Sequence, residues 1–376
     1  MSGTVLIAGG GTGGHVFPSL AVAAALRDTG VVDVEFIGTA RGVESRLVPE
    51  AGWTLHPVDT LPLARRLSPS TARIPVVVLR AARQALAVIR SRRAVAAVVF
   101  GGYVSVPLAI AAWRARIPLI VHEQNAVPGL ANRLAGRWAS AVATTHPGRR
   151  FGRVLPVVTG NPVRPGLDPQ AVAGTRSEAL AHFGLQLERR TLLIFGGSQG
   201  ARRINTAVVD SAGRWPDSAR LQILHAAGRG NYEEVAAAWK AALTDDDALV
   251  VRCVDFIDRM ELAYAVSDVV VCRSGASTLA ELTVLGLPSI LVPYPHATGD
   301  HQTANARRVA DAGGAVLIPD GELDAERLVA EAQPLLGDDA RRARMAAAAG
   351  TVGRPDAARQ VAALVLEQIE RRKAAR

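Results

Sequence analysis

The stretch Val5-Leu6-Ile7-Ala8-Gly9-Gly10-Gly11-Thr12-Gly13-Gly14-His15 decides the fold. It has a counterpart at Leu192-Leu193-Ile194-Phe195-Gly196-Gly197-Ser198-Gln199-Gly200-Ala201. Each is a short apolar run, then a tight glycine turn, then a helix-like segment. A buried strand running into a helix N-terminus presents free backbone N–H groups and the positive end of the helix dipole. Glycines let a phosphate come close to that backbone. One such turn is common; two, one heading each half of the 376 residues, predict twin nucleotide-type domains facing each other across a cleft.

Strand-like and helix-like segments alternate outward from both turns. In the first half, helix is expected from Pro18 to Leu26, and strands at 34–38, 95–100, 119–121 and 141–143. Pro162, Pro165 and Pro169, among glycines between Gly160 and Gly174, read as an interdomain linker. Strands then resume at 192–195, 221–225, 249–254, 269–272, 289–292 and 315–318. This is the βαβ rhythm of doubly wound parallel sheets, class α/β. The division predicted is 1–161, 162–350, and a final helical segment, 351–376, whose stripe of Val361, Leu364, Val365 and Ile369 must pack somewhere, on the first domain by expectation.

Composition narrows the class. A hydrophobic content of 49% supports two full cores, and roughly 100–200 residues per domain gives the same count. Cys253 and Cys272 sit in apolar runs, as buried thiols and not as a disulfide or zinc framework. No run is long and uninterrupted enough to span a membrane. The net charge of +9 rests on arginine, because Lys240 and Lys373 are the only lysines; it fits anionic partners or a general compositional bias. The segment 61–93 interleaves arginines with aliphatics. From Val76 it reads as an amphipathic helix with Leu79, Ala82, Leu86 and Ile89 on one face and Arg80, Arg83 and Arg90 on the other, with Ser68-Pro69 as its expected start and a kink at Pro75. It is either a core helix with a solvated face or a contact with an anionic membrane.

The loops carry the chemistry. Gly9, Gly11 and Gly14 satisfy G-x-G-x-x-G, but the next strand ends Ile37-Gly38-Thr39 without the carboxylate a dinucleotide site wants. His15 stands where the helix begins, as a catalytic or phosphate-contacting group or as a structural histidine. The second turn offers Ser198 to a phosphate, or is an ordinary strand–helix connection. After the strand 269–272, Ser274 reads as a helix cap. Glu281, within the first turns of that helix, suits the two hydroxyls of a ribose, or simply stabilises the helix dipole. Asp300, His301, Gln302 and Asn305 suit sugar hydroxyls. Tyr103 and the run His122-Glu123-Gln124-Asn125 lie at strand ends, where open α/β sheets bind ligands. Asp245-Asp246-Asp247 reads as a solvated turn, and no His or Cys spacing fits zinc.

Seven segments together carry a resemblance: GGGTGGHVFP at 9–18, FGGYVSVP at 100–107, HEQNAVPGLAN at 122–132, GNPVR at 160–164, GGSQGA at 196–201, FIDRM at 256–260 and CRSGASTLAE at 272–281. The chain resembles the GT-B glycosyltransferases, and among them those that transfer N-acetylglucosamine from UDP-N-acetylglucosamine to lipid I. PHATGDHQ, just before and including Gln302, departs from the family's shorter arrangement.

The resemblance implies the GT-B fold of two Rossmann-like domains, no cofactor and no metal. Thr12, Gly13, Gly14 and Asn125 would lie near the transferred sugar and the acceptor diphosphate. Arg164, Ser198, Ser277 and Thr278 would hold the donor diphosphate. The main chain at Ile257 would read uracil, Glu281 would bind ribose and Gln302 the N-acetylglucosamine hydroxyls. His15, with Glu123 and Tyr103 as further candidates, would serve the acceptor hydroxyl. Implied partners are UDP-N-acetylglucosamine, lipid I and an anionic membrane surface at the cytoplasmic face of the cell membrane, with no nucleic acid. A UDP-N-acetylglucosamine 2-epimerase of the same fold and a non-catalytic nucleotide-sugar sensor are the alternatives.

Overall fold

The computed structural model describes residues 3–60, 74–148, 150–197, 200–244 and 247–375. The chain forms two compact units, Met1–Pro165 with Arg354–Arg376, and Gly166–Gly353.

Among the described residues, the first unit holds a seven-stranded parallel sheet. Its strands are β1 (Thr4–Ala8), β2 (Asp33–Gly38), β3 (Leu55–Pro57), β4 (Ala94–Val99), β5 (Leu119–Glu123), β6 (Ala141–Thr144) and β7 (Val157–Val158), in the order 3-2-1-4-5-6-7. Val5, Leu6, Ile7 and Ala8 are wholly buried, as a central strand covered on both faces requires. The first helix, Gly13–Asp28, starts five residues before the expected Pro18 and takes in the last glycines of the turn. β5 runs on through His122 and Glu123, so these residues end the strand instead of following it.

The helix Ile74–Ser91 differs in its face from the sequence reading. Ala81, Ala82, Ala85 and Ile89 are buried, whereas Leu79 is 53% and Val76 69% exposed. Small side chains let this helix pack closely on Ser105–Ala115, where Leu108, Ala109 and Ala112 share its core. Pro75 is the second residue of this helix as described, and the kink expected there turns on residues 61–73, which lie outside the described residues. The last helix, Ala357–Ala374, contributes Val361, Ala362, Val365 and Ile369 to the core built on β1 and the helix Gly13–Asp28.

The second unit repeats the plan with β8 (Arg190–Phe195), β9 (Leu221–Ala226), β10 (Val250–Val254), β11 (Val269–Cys272), β12 (Ser289–Leu291) and β13 (Ala315–Leu317), all parallel, in the order 10-9-8-11-12-13. The proline-rich stretch after Gly160 ends in helix, Pro169–Gly174, whose Asp168 cap accepts the Gln170 and Ala171 N–H groups. Beneath the second glycine turn lies a buried polar chain. Trp239 Nε1 donates to His225 Nδ1 at 3.0 Å, His225 Nε2 pairs with Asn205 Oδ1 at 3.1 Å, and Asn205 Nδ2 donates to the Ala227 carbonyl at 2.9 Å. Gly200, at φ +71, faces that same carbonyl, and a side chain there would collide with it.

Candidate functional site

The strand order of the first unit reverses between β1 and β4, and the loops after these strands therefore flank the crevice where such sheets bind ligands. Thr12 is extended at the cap position, Gly13 and Gly14 open the helix, and His15 occupies its first turn. His15 Nδ1 lies 3.0 Å from the Gly10 carbonyl and 3.2 Å from Thr12 Oγ1. A carbonyl only accepts, which assigns the ring proton to Nδ1 and leaves a lone pair on Nε2. Burial holds the His15 pKa below 6.5, against the raising effects of the Gly10 bond and the Glu44 charge. Gly101, after β4, has φ +101, and a Cβ on it would fall 2.9 Å from His15 Nε2. Glycine there keeps the basic nitrogen uncovered.

Glu44 is the residue the sequence reading missed. β2 does end without a carboxylate, but Glu44, first residue of the helix Glu44–Glu50, turns back beneath the glycine loop and is only 1% exposed. It accepts the Gly11 N–H at 3.0 Å, the Thr39 N–H at 3.1 Å and the Thr39 hydroxyl at 2.8 Å. A Cβ on Gly10 would meet its Oε1 at 2.8 Å. Tyr103 borders the same loop: its hydroxyl is 3.5 Å from Thr39 Oγ1, and its ring would touch any Cβ on Gly11.

At the end of β5, Glu123 is buried with both oxygens engaged. Oε1 accepts from the Asn125 backbone at 2.9 Å and its side chain at 3.4 Å. Oε2 accepts from Gly129 at 3.0 Å and Asn132 Nδ2 at 2.9 Å. Burial raises its pKa, against these four donors. Asn132, whose amide also donates to the His122 carbonyl, had no role in the sequence reading. Arg164, in this unit as well, lies with its guanidinium 4.2 Å from the centre of the Phe17 ring.

In the second unit the order reverses between β8 and β11. Ser198 lies outside the described residues. The helix Ala276–Leu285 after β11 brings Ser277 and Thr278 into its first turn, where its dipole favours an anion. Glu281, on the same helix, is 3% exposed and accepts the Tyr264 hydroxyl at 2.7 Å. The cap position belongs to Gly275, not Ser274; the Ser274 hydroxyl donates instead to the Gln302 carbonyl at 2.9 Å. The Gln302 side-chain oxygen accepts the Tyr294 N–H at 2.9 Å. Ile257 is buried beside a cavity of about 440 Å³ that Phe256, His182 and Phe183 also line. Among the described residues no three His, Cys, Asp or Glu side chains converge as a metal site. Asp247 accepts from the Thr244 backbone and hydroxyl as a local turn.

Residues 5–144 match the family model described as the glycosyltransferase family 28 N-terminal domain, and residues 191–361 match that of its C-terminal domain. The chain belongs to glycosyltransferase family 28. Among similar proteins, the UDP-N-acetylglucosamine–N-acetylmuramyl-(pentapeptide) pyrophosphoryl-undecaprenol N-acetylglucosamine transferase of Mycobacterium sp. (strain KMS) is 43% identical over 98% of this chain and 96% of its own length. The like-named protein of Mycolicibacterium smegmatis is 43% identical over 97% and 94%. Among solved structures, MurG of Acinetobacter baumannii has a TM-score of 0.75 at 29% identity, covering 98% of this chain and all of that one. The UDP-GlcNAc 2-epimerase of Neisseria meningitidis reaches a TM-score of 0.68 at 13% identity over 98% and 100%, a likeness of fold alone. The family 28 match bears out the two-domain GT-B architecture and the glycosyltransferase reading.

Proposed function

We propose that this chain transfers N-acetylglucosamine from UDP-N-acetylglucosamine to the 4-hydroxyl of N-acetylmuramic acid in lipid I, giving lipid II and UDP with inversion at the anomeric carbon. The observation that carries the reading is the near end-to-end 43% identity to relatives bearing that name.

The reading divides the labour among residues of the two units. His15 Nε2 takes the proton of the acceptor hydroxyl as its oxygen attacks the anomeric carbon. Thr12, Gly13, Gly14 and Asn125 flank the acceptor, Glu123 holds the loop that carries Asn125, and Tyr103 borders the base. In the second unit Glu281 takes the ribose, the main chain at Ile257 the uracil and Gln302 the sugar hydroxyls. Charge building on departing UDP meets Ser277, Thr278 and their helix N-terminus, together with Ser198 and Arg164. Preorganised donors of this kind contribute about 3 kcal/mol each.

The test is incubation with UDP-N-acetylglucosamine with and without a short-chain lipid I analogue. UDP release that requires the analogue is expected. Release without it would point to epimerase chemistry, and binding without turnover to a sensor. Activity is expected to survive EDTA; loss restored by magnesium would reverse the metal-free reading.

We also propose peripheral attachment to the cytoplasmic membrane face. No helix among the described residues is long and apolar enough to cross a membrane. Supporting attachment are the outward Val76 and Leu79 and the exposed Trp113. A cavity of about 820 Å³ is lined by Trp113, Trp138, Arg90, Arg114 and Arg371. Residues 61–73 of the proposed segment lie outside the described residues. Cosedimentation with phosphatidylglycerol vesicles, weakened by salt and absent with phosphatidylcholine, is expected; no vesicle binding would remove the proposal.

A further inference from the structure

One peptide group joins two of the residues described above. The N–H of Gly11 and the carbonyl of Gly10 belong to the same amide. Its N–H donates to Glu44 Oε2 at 3.0 Å, and its carbonyl accepts the His15 Nδ1 proton at 3.0 Å. We propose that Glu44 is a positioning residue for His15, acting through the Gly10–Gly11 peptide as a carboxylate–amide–imidazole relay.

Two observations and one physical argument support the relay. The carboxylate is fixed: the Thr39 N–H and hydroxyl hold Oε1, and the helix Glu44–Glu50 begins at this residue. The peptide also lies tight against the carboxylate: a Cβ on Gly10 would fall 2.8 Å from Glu44 Oε1, and Gly11 takes the left-handed φ of +89 that brings its N–H there. Finally, hydrogen bonds in series polarise one another. A carboxylate on the N–H end makes the carbonyl end a stronger acceptor, which suits a ring that becomes cationic. Glutamate also occupies the Gly11 N–H that the same motif offers to a phosphate in dinucleotide folds, so in this chain that N–H serves the base.

The step balances simply. The acceptor hydroxyl gives its proton to Nε2 while its oxygen bonds to the anomeric carbon. The bond from that carbon to the UDP oxygen breaks, its electron pair leaving with UDP. The imidazolium that results is held by Gly10, with the Glu44 charge behind it. A base that needs a third group to hold its tautomer and orientation follows the logic of the Ser-His-Asp triad, with a backbone amide inserted between carboxylate and ring.

The relay rests on the transferase reading for its kinetic test, but not for its structural one. Glu44→Gln keeps the shape, removes the charge and can satisfy only part of the donor set. We expect kcat to fall about 10- to 100-fold, a part of what a general base contributes, with KM for UDP-N-acetylglucosamine within about twofold of its starting value. In a His15→Ala background the same substitution should have no further effect on kcat. Equal losses in both backgrounds, or an unchanged kcat, would overturn the relay. Nitrogen-15 NMR of the unmodified protein at neutral pH should show the Nδ1–H tautomer for His15, whatever the variant's fate. A dominant Nε2–H tautomer would overturn the proposal even if the chain proved to have another activity.

Discussion

The Tyr264 hydroxyl donates to Glu281 Oε2 at 2.7 Å, and both side chains are buried. Tyr264 comes from the helix Met260–Val266, so a second element aims the carboxylate proposed to bind ribose. Hydrogen bonds to charged groups contribute about 1.5–3 kcal/mol. Tyr264→Phe should therefore raise the Kd for UDP by roughly 10-fold or more, with kcat nearly unchanged. Titration calorimetry with UDP checks this, and unchanged affinity would separate Tyr264 from donor binding.

His15→Ala should lower kcat by about 10²–10⁴-fold, the usual range for a general base, while UDP binds as before. The pH dependence has a definite sign. Burial puts the His15 pKa below 6.5, and the base works when neutral. The acid limb of kcat/KM should thus lie below pH 6.5 and disappear in the variant. A limb above pH 6.5 would indicate a different base.

Trp239→Phe tests the polar chain in the second core. It leaves His225 Nδ1 buried without its donor. An unsatisfied buried acceptor costs about 1–3 kcal/mol, so the urea midpoint should fall while the slope stays constant.

Two wholly buried histidines make stability depend on pH. Burial lowers both His122 and His225 to about 4, against 6.5 in the unfolded chain. Between these values the unfolded chain binds more protons, so stability is full above pH 6.5 and declines as pH falls toward 4. At 1.36 kcal/mol per unit, each histidine accounts for about 3 kcal/mol. Unfolding followed from pH 7 to 4 should show the decline, and His225→Gln should flatten it. A Tm independent of pH across that range would contradict the assignment.

Much of the plan was legible because it is written in local pattern. Apolar runs ending in glycine turns marked β1 and β8, and Val269–Cys272 matches its strand end to end. Glu281 could be singled out from its offset in a helix. Glu44 could not, because nothing in Gly42-Val43-Glu44 signals a carboxylate that folds back under a turn 33 residues earlier. Tyr264 reads as one more core aromatic beside Val266. Periodicity put Leu79 inward; the close approach of two alanine-rich helices turned it outward, and spacing alone does not encode which of two apolar faces a neighbour will cover.

The helix Ala357–Ala374 belongs to the first unit, and the whole of Gly166–Gly353 is spelled between it and the rest of that unit. During synthesis Gly166–Gly353 is made before Ala357–Ala374, so the first unit cannot be completed until the second has been made. Until then the seat for Val361, Val365 and Ile369 stands open on the helix Gly13–Asp28. The unit that holds His15 is thus completed after the other, and loss of Ala357–Ala374 would leave its core without Val361, Val365 and Ile369.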